Sequence, residues 1–459
     1  MASTCVKRTP SSDGNSKKFT WSGWVKRGQI GVSQHLWAVW YQNNSRYSYF
    51  QFNADDTLEV YSGEYSTSPT SNSIYLNTKA KFSDIFGWYH IVLRVDTDDS
   101  TQADRVRVYV NGVNQEFNAS HSNGQTLPSS GTVTFFNKQY LHTLGRYANS
   151  GGFFSGIMSH VHWCDGYSYA PTEFGETDTT TGEWKIKTSP SVSYGTNGFF
   201  ILKDGNSTTD QSGNSMSFTT EGTLTNTEDN PSNVFCTMNP FARYGGNLTY
   251  SNGNTNITGG SSWRMGSATL GASAGKYYYE YKITTLGSGN GYHKIGFISD
   301  QAFSTSASHG ADPSLDGSYV FYCVNGELEV RTDNSVITGY DTSTLGISFS
   351  NNDIMCLAID MDNKRAYFRK NDGAWIKSAN PVSGTNGLDI SADYSTGSTK
   401  AMIPAISIYE SGAGAVNFGN GYFGTSAIAS EGTNASGIGK FEFDVPTGYT
   451  ALSTKGLNE

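Results

Sequence analysis

The sequence predicts an all-β protein built as two antiparallel β-sandwich domains joined by a polar connector. Three observations carry that prediction. The 459 residues include 52 Gly, 28 Tyr and 25 Phe but only 15% charged residues, so turn formers and large buriable side chains are abundant while the charged surface of helical bundles and coiled coils is missing. Short segments alternate their residues with a period of two. Turn signals separate these segments at the spacing a sandwich needs, and no long helical pattern or fixed-period repeat appears. At roughly 100–250 residues per domain, the length accommodates two large domains.

From Lys18 the strands follow one another. Phe19–Val25 alternates large and small residues, and Leu36–Trp40 and Tyr47–Phe52 keep the period. Trp88–Val95 and Arg105–Val110 flank an acidic connection and read as a hairpin, the second arm ending in Asn111-Gly112, which suits a type I′ turn. Leu144–Arg146 and Phe153–Trp163 add two more strands. The stretches Thr177–Gly182, Gly213–Ser217 and Thr223–Asn233 are polar and turn-rich and read as a connector. After Phe235–Tyr244 come Tyr277–Ile283, His293–Ile298, Tyr319–Tyr322, Ile354–Asp360, Arg365–Lys370 and Ile403–Tyr409, punctuated by Asn325-Gly326, Asp362-Asn363 and Asn371-Asp372-Gly373. The expected boundaries are an N-terminal arm at 1–17, a sandwich at 18–175, a connector with short strands at 176–240, a second sandwich at 241–425 and a C-terminal extension at 426–459.

Charge narrows the partners. Lys+Arg 31 against Asp+Glu 40 leaves a net charge of −9, so no overall field favours phosphate backbones and nucleic acid is not an expected partner. No apolar run reaches about 18 residues and a polar Ser11–Lys18 run follows the start, so a soluble chain made in a cytoplasm is expected. The five cysteines, Cys5, Cys164, Cys236, Cys323 and Cys356, are scattered and read as reduced thiols, mostly buried.

Several segments carry family resemblances. Over Lys18–Phe174 the strand Phe19–Val25, the segment Trp88–Val92, the strand ending Val108-Tyr109-Val110-Asn111-Gly112 and the closing Gly156–Val161 with Pro171-Thr172-Glu173-Phe174 resemble the laminin-G-like, concanavalin-A-like jelly-roll family. Over Leu248–Gly419, Gly275–Tyr281, Ile295-Gly296-Phe297, the hairpin Asn352–Gly373, Ile403–Ser407 and Val416–Gly419 resemble a SPRY domain. The Ser299–Ser318 insertion, with Asp300, His309, Asp312 and Asp316, departs from that pattern. The order of the two modules, the segment Gly198–Asn214 and the ending Val445–Lys455 are similar to virion proteins of tailed bacteriophages. That resemblance implies a capsid decoration, head fibre or tail-fibre component.

The chemistry points to binding. A glycan hydrolase needs two carboxylates across the scissile bond, and the Glu-x-Asp-x-x-Glu run expected of a catalytic laminarinase-like jelly roll is absent. Asp360 and Asp362, spaced for one strand face, fall where the hairpin turns and read as turn residues. No nucleophile elbow or phosphate loop is present, and the Gly287–Gly291 run opens no helix. Asp96, Asp98, Asp99 and Asp104 could offer oxygens to calcium, though the Gly and closing Glu of a twelve-residue loop are missing. His160, His162 and Cys164 have metal-like spacing, yet along an extended strand they span about 13 Å, too far for one zinc. Apart from calcium, no cofactor is expected. Tyr47, Tyr49, Trp163, Tyr167, Trp263, Tyr292 and Trp375 lie near predicted loop edges and are the candidate glycan- or partner-binding residues, because aromatic faces stack on sugar rings and dominate interfaces.

The expectation is therefore a non-enzymatic structural and adhesive protein on a bacteriophage virion surface. Its partners would be capsid or tail proteins and host cell-surface glycans, with no membrane insertion, and a homo-oligomer such as a trimer. The competing readings are a decoration without a receptor role and a glycan-active hydrolase.

Overall fold

A computed structural model describes residues 4–41, 46–64, 72–119, 125–147, 151–203, 207–244, 248–261, 263–287, 291–299, 318–332, 335–391 and 400–458. The chain is nearly all-β and folds as two units, one formed by Met1–Asn226 with Asn230–Ser232 and the other by Asn233–Glu459 with Thr227–Asp229. Most of the Ser299–Ser318 insertion, including Asp300, His309, Asp312 and Asp316, lies outside the described residues.

The first unit runs β1 (Cys5–Arg8), β2 (Lys18–Arg27), β3 (Gln34–Tyr41), β4 (Arg46–Phe52), β5 (Thr57–Glu64), β6 (Asn72–Lys81), β7 (Tyr89–Asp96), β8 (Val106–Val110), β9 (Val113–Asn114), β10 (Leu141–Leu144), β11 (Gly156–Asp165), β12 (Gly175–Thr177), β13 (Trp184–Ile186), β14 (Phe199–Ile201) and β15 (Thr219–Glu221). A seven-stranded sheet in the order β15-β1-β10-β3-β4-β5-β6 faces a six-stranded sheet in the order β14-β11-β2-β7-β8-β9. The period of two explains the sandwich. Phe19, Trp21 and Val25 of β2, Leu93 and Val95 of β7, and Phe50, Val60 and Leu76 of β4 to β6 all fall in one buried cluster between the sheets. Asn111 and Gly112 join β8 to β9 with φ of 48° and 78°, the two left-handed residues a type I′ turn requires. At Gly112 a side chain would also strike Trp184, whose ring would lie 2.5 Å from its Cβ.

In the first unit two boundaries shift. The expected arm 1–17 supplies β1, which pairs with β10 on one side and β15 on the other, because Val6 is needed in the core while Lys7 meets Glu221 outside. Most of the expected connector belongs to the first unit as well. Residues 166–198 cover the outer face of the six-stranded sheet, where Phe174, Tyr169, Val192 and Tyr194 bury Val92 and Cys164. Trp184 fastens this layer by donating its Nε1–H to Nδ1 of the buried His90, whose Nε2 meets Ser22 Oγ at 2.9 Å. With Nδ1 accepting, the hydrogen-bond network assigns the proton to Nε2.

The second unit runs β16 (Met238–Tyr244), β17 (Thr249–Ser251), β18 (Asn256–Thr258), β19 (Arg264–Ala268), β20 (Lys276–Thr285), β21 (Tyr292–Ser299), β22 (Ser318–Val324), β23 (Glu327–Thr332), β24 (Ser335–Val336), β25 (Ile354–Asp360), β26 (Arg365–Lys370), β27 (Leu388–Asp389), β28 (Met402–Tyr409), β29 (Ala413–Asn417), β30 (Tyr422–Phe423), β31 (Ser426–Ala427) and β32 (Thr450–Ala451). Its sheets are ordered β16-β19-β28-β21-β22-β23-β24 and β17-β18-β29-β20-β25-β26-β27, with β32 parallel to β20. Tyr277, Tyr279 and Tyr281 of β20 point into the core with Phe297, Leu357 and Phe368. Tyr278 points the other way, beneath Phe441, Val445 and Tyr449. This double covering explains why Tyr277–Tyr281 lacks polar alternation. It also corrects the expected extension at 426–459: its residues form the outer layer on the second sheet, because Tyr278, Cys356, Ala358 and Tyr367 would otherwise face water.

Candidate functional site

The site with the most built-in polar chemistry lies on the outer face of the seven-stranded sheet of the first unit. Strand register creates it. His35, Gln51, Glu59 and Asn77 are cross-strand partners in one row over β3, β4, β5 and β6. Ala38, Tyr49, Tyr61 and Tyr75 form the next row, and Trp40, Tyr47 and Gly63 the one after. On β3 the two rows are three residues apart, whereas two separate them elsewhere. A bulge at Leu36 absorbs the extra residue and keeps His35 and Ala38 on the same face.

Within the polar row, Glu59 gathers neutral donors. Tyr49 donates its O–H to Oε1 at 2.5 Å, Gln51 Nε2 donates to Oε1 at 3.3 Å and Asn53 Nδ2 to Oε2 at 3.2 Å. The amides form a chain: Gln51 Nε2 donates to Asn53 Oδ1 at 2.8 Å, and Asn53 Nδ2 donates to Asn77 Oδ1 at 2.7 Å. That chain orients both ends. Gln51 Oε1 is left as an acceptor and Asn77 Nδ2 as a donor, both buried and without a protein partner among the described residues. His35 Nδ1 is buried too, against the backbone of Gly152. Burial holds the His35 imidazole down to about 4, so it is neutral at physiological pH, and burial together with the Glu59 charge pushes the Tyr49 phenol far up.

The tyrosines above this row pack on one another. Tyr61 stacks on Tyr47 and Tyr49 with ring centroids 4.9 and 5.1 Å apart, while Tyr147 meets both edge-on. Their ring faces are largely used up within the cluster. The surface therefore offers ring edges and phenol oxygens, a lining suited to hydrogen bonding.

The candidate residues sort as follows. Tyr47, the second residue of β4, and Tyr49, in mid-strand, are both in this face and half-buried. Trp163 is a correction: it is 1% exposed, stacked between Phe19 and Trp37 at 4.7 and 5.5 Å, because the strand face it occupies looks into the core. Tyr167 is 42% exposed and stacks on Tyr169. In the second unit Trp263 and Tyr292 do come together, 5.9 Å apart, with Tyr409 stacked on Trp263 and the Lys294 ammonium 4.5 Å above the same ring. Trp375 lies 5.0 Å from the Arg369 guanidinium and packs against the C-terminal layer.

The acidic candidates disperse. Asp96 meets Lys18, Asp98 Lys17, Asp99 Arg94 and Asp104 Arg107, so the four carboxylates answer four different cations. His160 sits at a bulge with φ of 47°, which takes it out of line with His162, and His162 stacks on Phe200 at 4.0 Å. Cys164 is buried against Val92 and Phe174. Among the described residues no three His, Cys, Asp or Glu side chains gather as metal ligands. Asp360 accepts the N–H groups of Asp362 and Asn363 and the ammonium of Lys276, as a turn residue does.

Sequence reasoning missed Gln51, Asn53, Glu59, Tyr61, Tyr75, Asn77, Tyr147 and His35. The signal was available in the Tyr47-x-Tyr49-x-Gln51, Glu59-x-Tyr61 and Tyr75-x-Asn77 alternations, each of which puts aromatic and polar side chains on one strand face.

Comparisons with known proteins agree with the sandwich of the first unit. Residues 3–173 match the family model described as the concanavalin A-like lectin/glucanases superfamily. Among solved structures, the chain is similar to the SPRY domain of human HERC1 at 17% identity, covering 39% of this chain and 96% of that one with a TM-score of 0.28. It is also similar to the heptameric SAP-like pentraxin of Limulus polyphemus, at 16% identity over 36% and 72% of the two chains with a TM-score of 0.26. A third is the TRIM65 PSpry domain, at 10% identity over 39% and 89% with a TM-score of 0.26. No curated protein matches the sequence. The β-sandwich of the first unit is thus the part of the chain that is similar to this superfamily.

Proposed function

We propose that this chain is a non-enzymatic adhesive and structural subunit of a tailed-bacteriophage virion surface, binding glycan through the outer face of the seven-stranded sheet. The observation that carries the binding reading is the tyrosine cluster on this face, where the half-buried Tyr47, Tyr49 and Tyr147 are fixed by mutual packing and by the polar row beside them. The match of residues 3–173 to a lectin and glucanase superfamily supports the same reading.

Binding is favoured over hydrolysis by the chemistry of Glu59. It is a single carboxylate whose oxygens already accept three neutral donors, and glycosidic cleavage calls for a second acid facing it across the bond. The virion assignment rests on the module order and the Val445–Lys455 ending, and the proposed partners are capsid or tail protein and a further copy of the chain. A glycan array with the full-length chain tests binding: several ligands above background are expected, and a blank array sinks the adhesive role. Electron microscopy of intact particles tests the location, and absence of the subunit from the virion refutes it.

A further inference from the structure

We infer that residues 166–198 form a strap that lifts off the six-stranded sheet of the first unit in acid, released by protonation of His90 beneath it and, in second place, of His162. The topology permits the movement. The strap leaves β11 after Asp165 and returns to β14 at Phe199, and β14 pairs directly with β11 through Val161–Ile201, His162–Phe200 and Trp163–Phe199. Its own hairpin, β12 with β13, pairs with no other strand among the described residues. Lifting the strap therefore breaks no strand pairing of either large sheet.

The fastening requires a neutral imidazole. An indole Nε1–H only donates, so the His90 Nδ1 that lies 3.0 Å from Trp184 Nε1 must be the bare, accepting nitrogen, and the ring's proton sits on Nε2 beside Ser22. A second proton on His90 would set two N–H groups against each other at a fully buried position. His162 is buried as well, stacked on Phe200 and bonded through Nδ1 to the Tyr194 hydroxyl at 2.9 Å. That hydroxyl can accept as well as donate, so charge at His162 acts through lost solvation alone.

No counter-charge meets either ring. The titratable groups packed around them are Tyr109 and Cys164 on the sheet, Tyr169 and Tyr194 on the strap, and His160 and Lys203 near His162. Lys26, Arg94 and Arg107 share the sheet face and are cations, the two arginines matched by Asp99 and Asp104. The strap's acids are Glu173, Glu176, Asp178 and Glu183, and Lys185 takes Glu176 and Asp178. Among the described residues no carboxylate bonds to either imidazole. Burial holds His90 down to about 3 and His162 well below its usual value. Uncovered, each ring titrates near 6.5, so the covered state is fully favoured above that pH and loses ground as pH falls.

Cys164 reports the opening. It is buried against Phe174 of the strap, whereas Cys5 of the same unit lies in β1 of the other sheet. The full-length chain is labelled with dithiodipyridine, which reacts with thiols in acid. Peptide mass spectrometry follows each cysteine, and rates are scaled to those of the urea-unfolded chain. At pH 5 each freed imidazole favours opening by about thirtyfold, so scaled labelling of Cys164 should rise by close to about a thousandfold from pH 7.5 and run at least about tenfold ahead of Cys5. His90→Gln, which offers Trp184 an acceptor and does not titrate, should keep a rise of only about thirtyfold. Trp184→Phe, which keeps a ring and removes the donor, should speed Cys164 labelling at pH 7.5 by about threefold or more. One scaled rate for Cys164 and Cys5 at every pH would make the event global unfolding and overturn the inference. A pH-independent Cys164 rate, or the full rise in His90→Gln, overturns it too. If His90→Gln does not fold, the ratio of Cys164 to Cys5 labelling in the unsubstituted chain and the Trp184→Phe result decide.

Discussion

Tyr49 donates its phenol to Glu59 across adjacent strands at 2.5 Å, joining the tyrosine row of the first unit to the polar row beside it. The relationship has a measurable consequence. Tyr49→Phe keeps the ring in its stack on Tyr61 but leaves Glu59 with two amide donors. A charge-assisted hydrogen bond of this kind is worth about 1.5–3 kcal/mol. We expect a fall in melting temperature of several degrees and a several-fold loss of glycan affinity; an unchanged melt would show that the bond contributes nothing net.

A second prediction concerns Glu280, whose buried carboxylate ties the C-terminal layer to β20. It accepts the backbone N–H groups of Glu442 and Phe443, the Tyr278 hydroxyl and the Asn417 amide. Burial outweighs these donors and raises its carboxyl to about 7. Unfolded, the same group titrates near 4.5. Between those values the native state holds the extra proton, so stability falls as pH rises from about 4.5 to 7 and stays low above. The contribution amounts to roughly 3 kcal/mol at most. Glu280→Gln should lower stability at acidic pH and abolish this slope in denaturant titrations. Retention of the slope would assign it to another group.

The first unit should respond to acid in the opposite sense. Burial lowers the imidazoles of His35 and His142 to about 4 and of His90 to about 3, and that of His162 well below its usual value. Their folded values lie below the unfolded 6.5. Stability is therefore fully present above about pH 6.5 and is lost as pH falls towards 4, with up to four protons taken up on unfolding. The limiting slope is about 5 kcal/mol per pH unit. Urea midpoints at pH 7.5, 6 and 5 should fall in that order, and His142→Asn should flatten the decline by about one proton. A flat profile would contradict the neutral, buried state of these rings.

Aromatic substitutions should separate core from surface. Trp163→Ala removes a fully buried ring between Phe19 and Trp37 and should cost about 3–5 kcal/mol. Tyr167→Ala, at a partly exposed turn, should change stability by less than about 1 kcal/mol. Equal effects in chemical denaturation would reverse the burial assignment.

The sequence by itself determined the all-β class and many strands, because a period of two and Asn-Gly turns are local properties. Asn111-Gly112 and Asn325-Gly326 form their hairpins with the positive φ pairs such dipeptides favour. It also determined that Tyr47, Tyr49 and Gln51 share a face. Which face becomes core was left to tertiary structure. Alternation marks two faces, and here a further layer covers the outer side in both units, so Trp163 and Tyr278 are buried on opposite grounds. The arm and the supposed connector joined one sheet through the pairing of Cys5–Arg8 with Thr219–Glu221, more than 200 residues away in the chain, where no local signal reaches. The candidate site was decided last of all. Its residues come from four strands, and only the register of those strands, corrected by one bulge at Leu36, sets His35, Gln51, Glu59 and Asn77 in a single row.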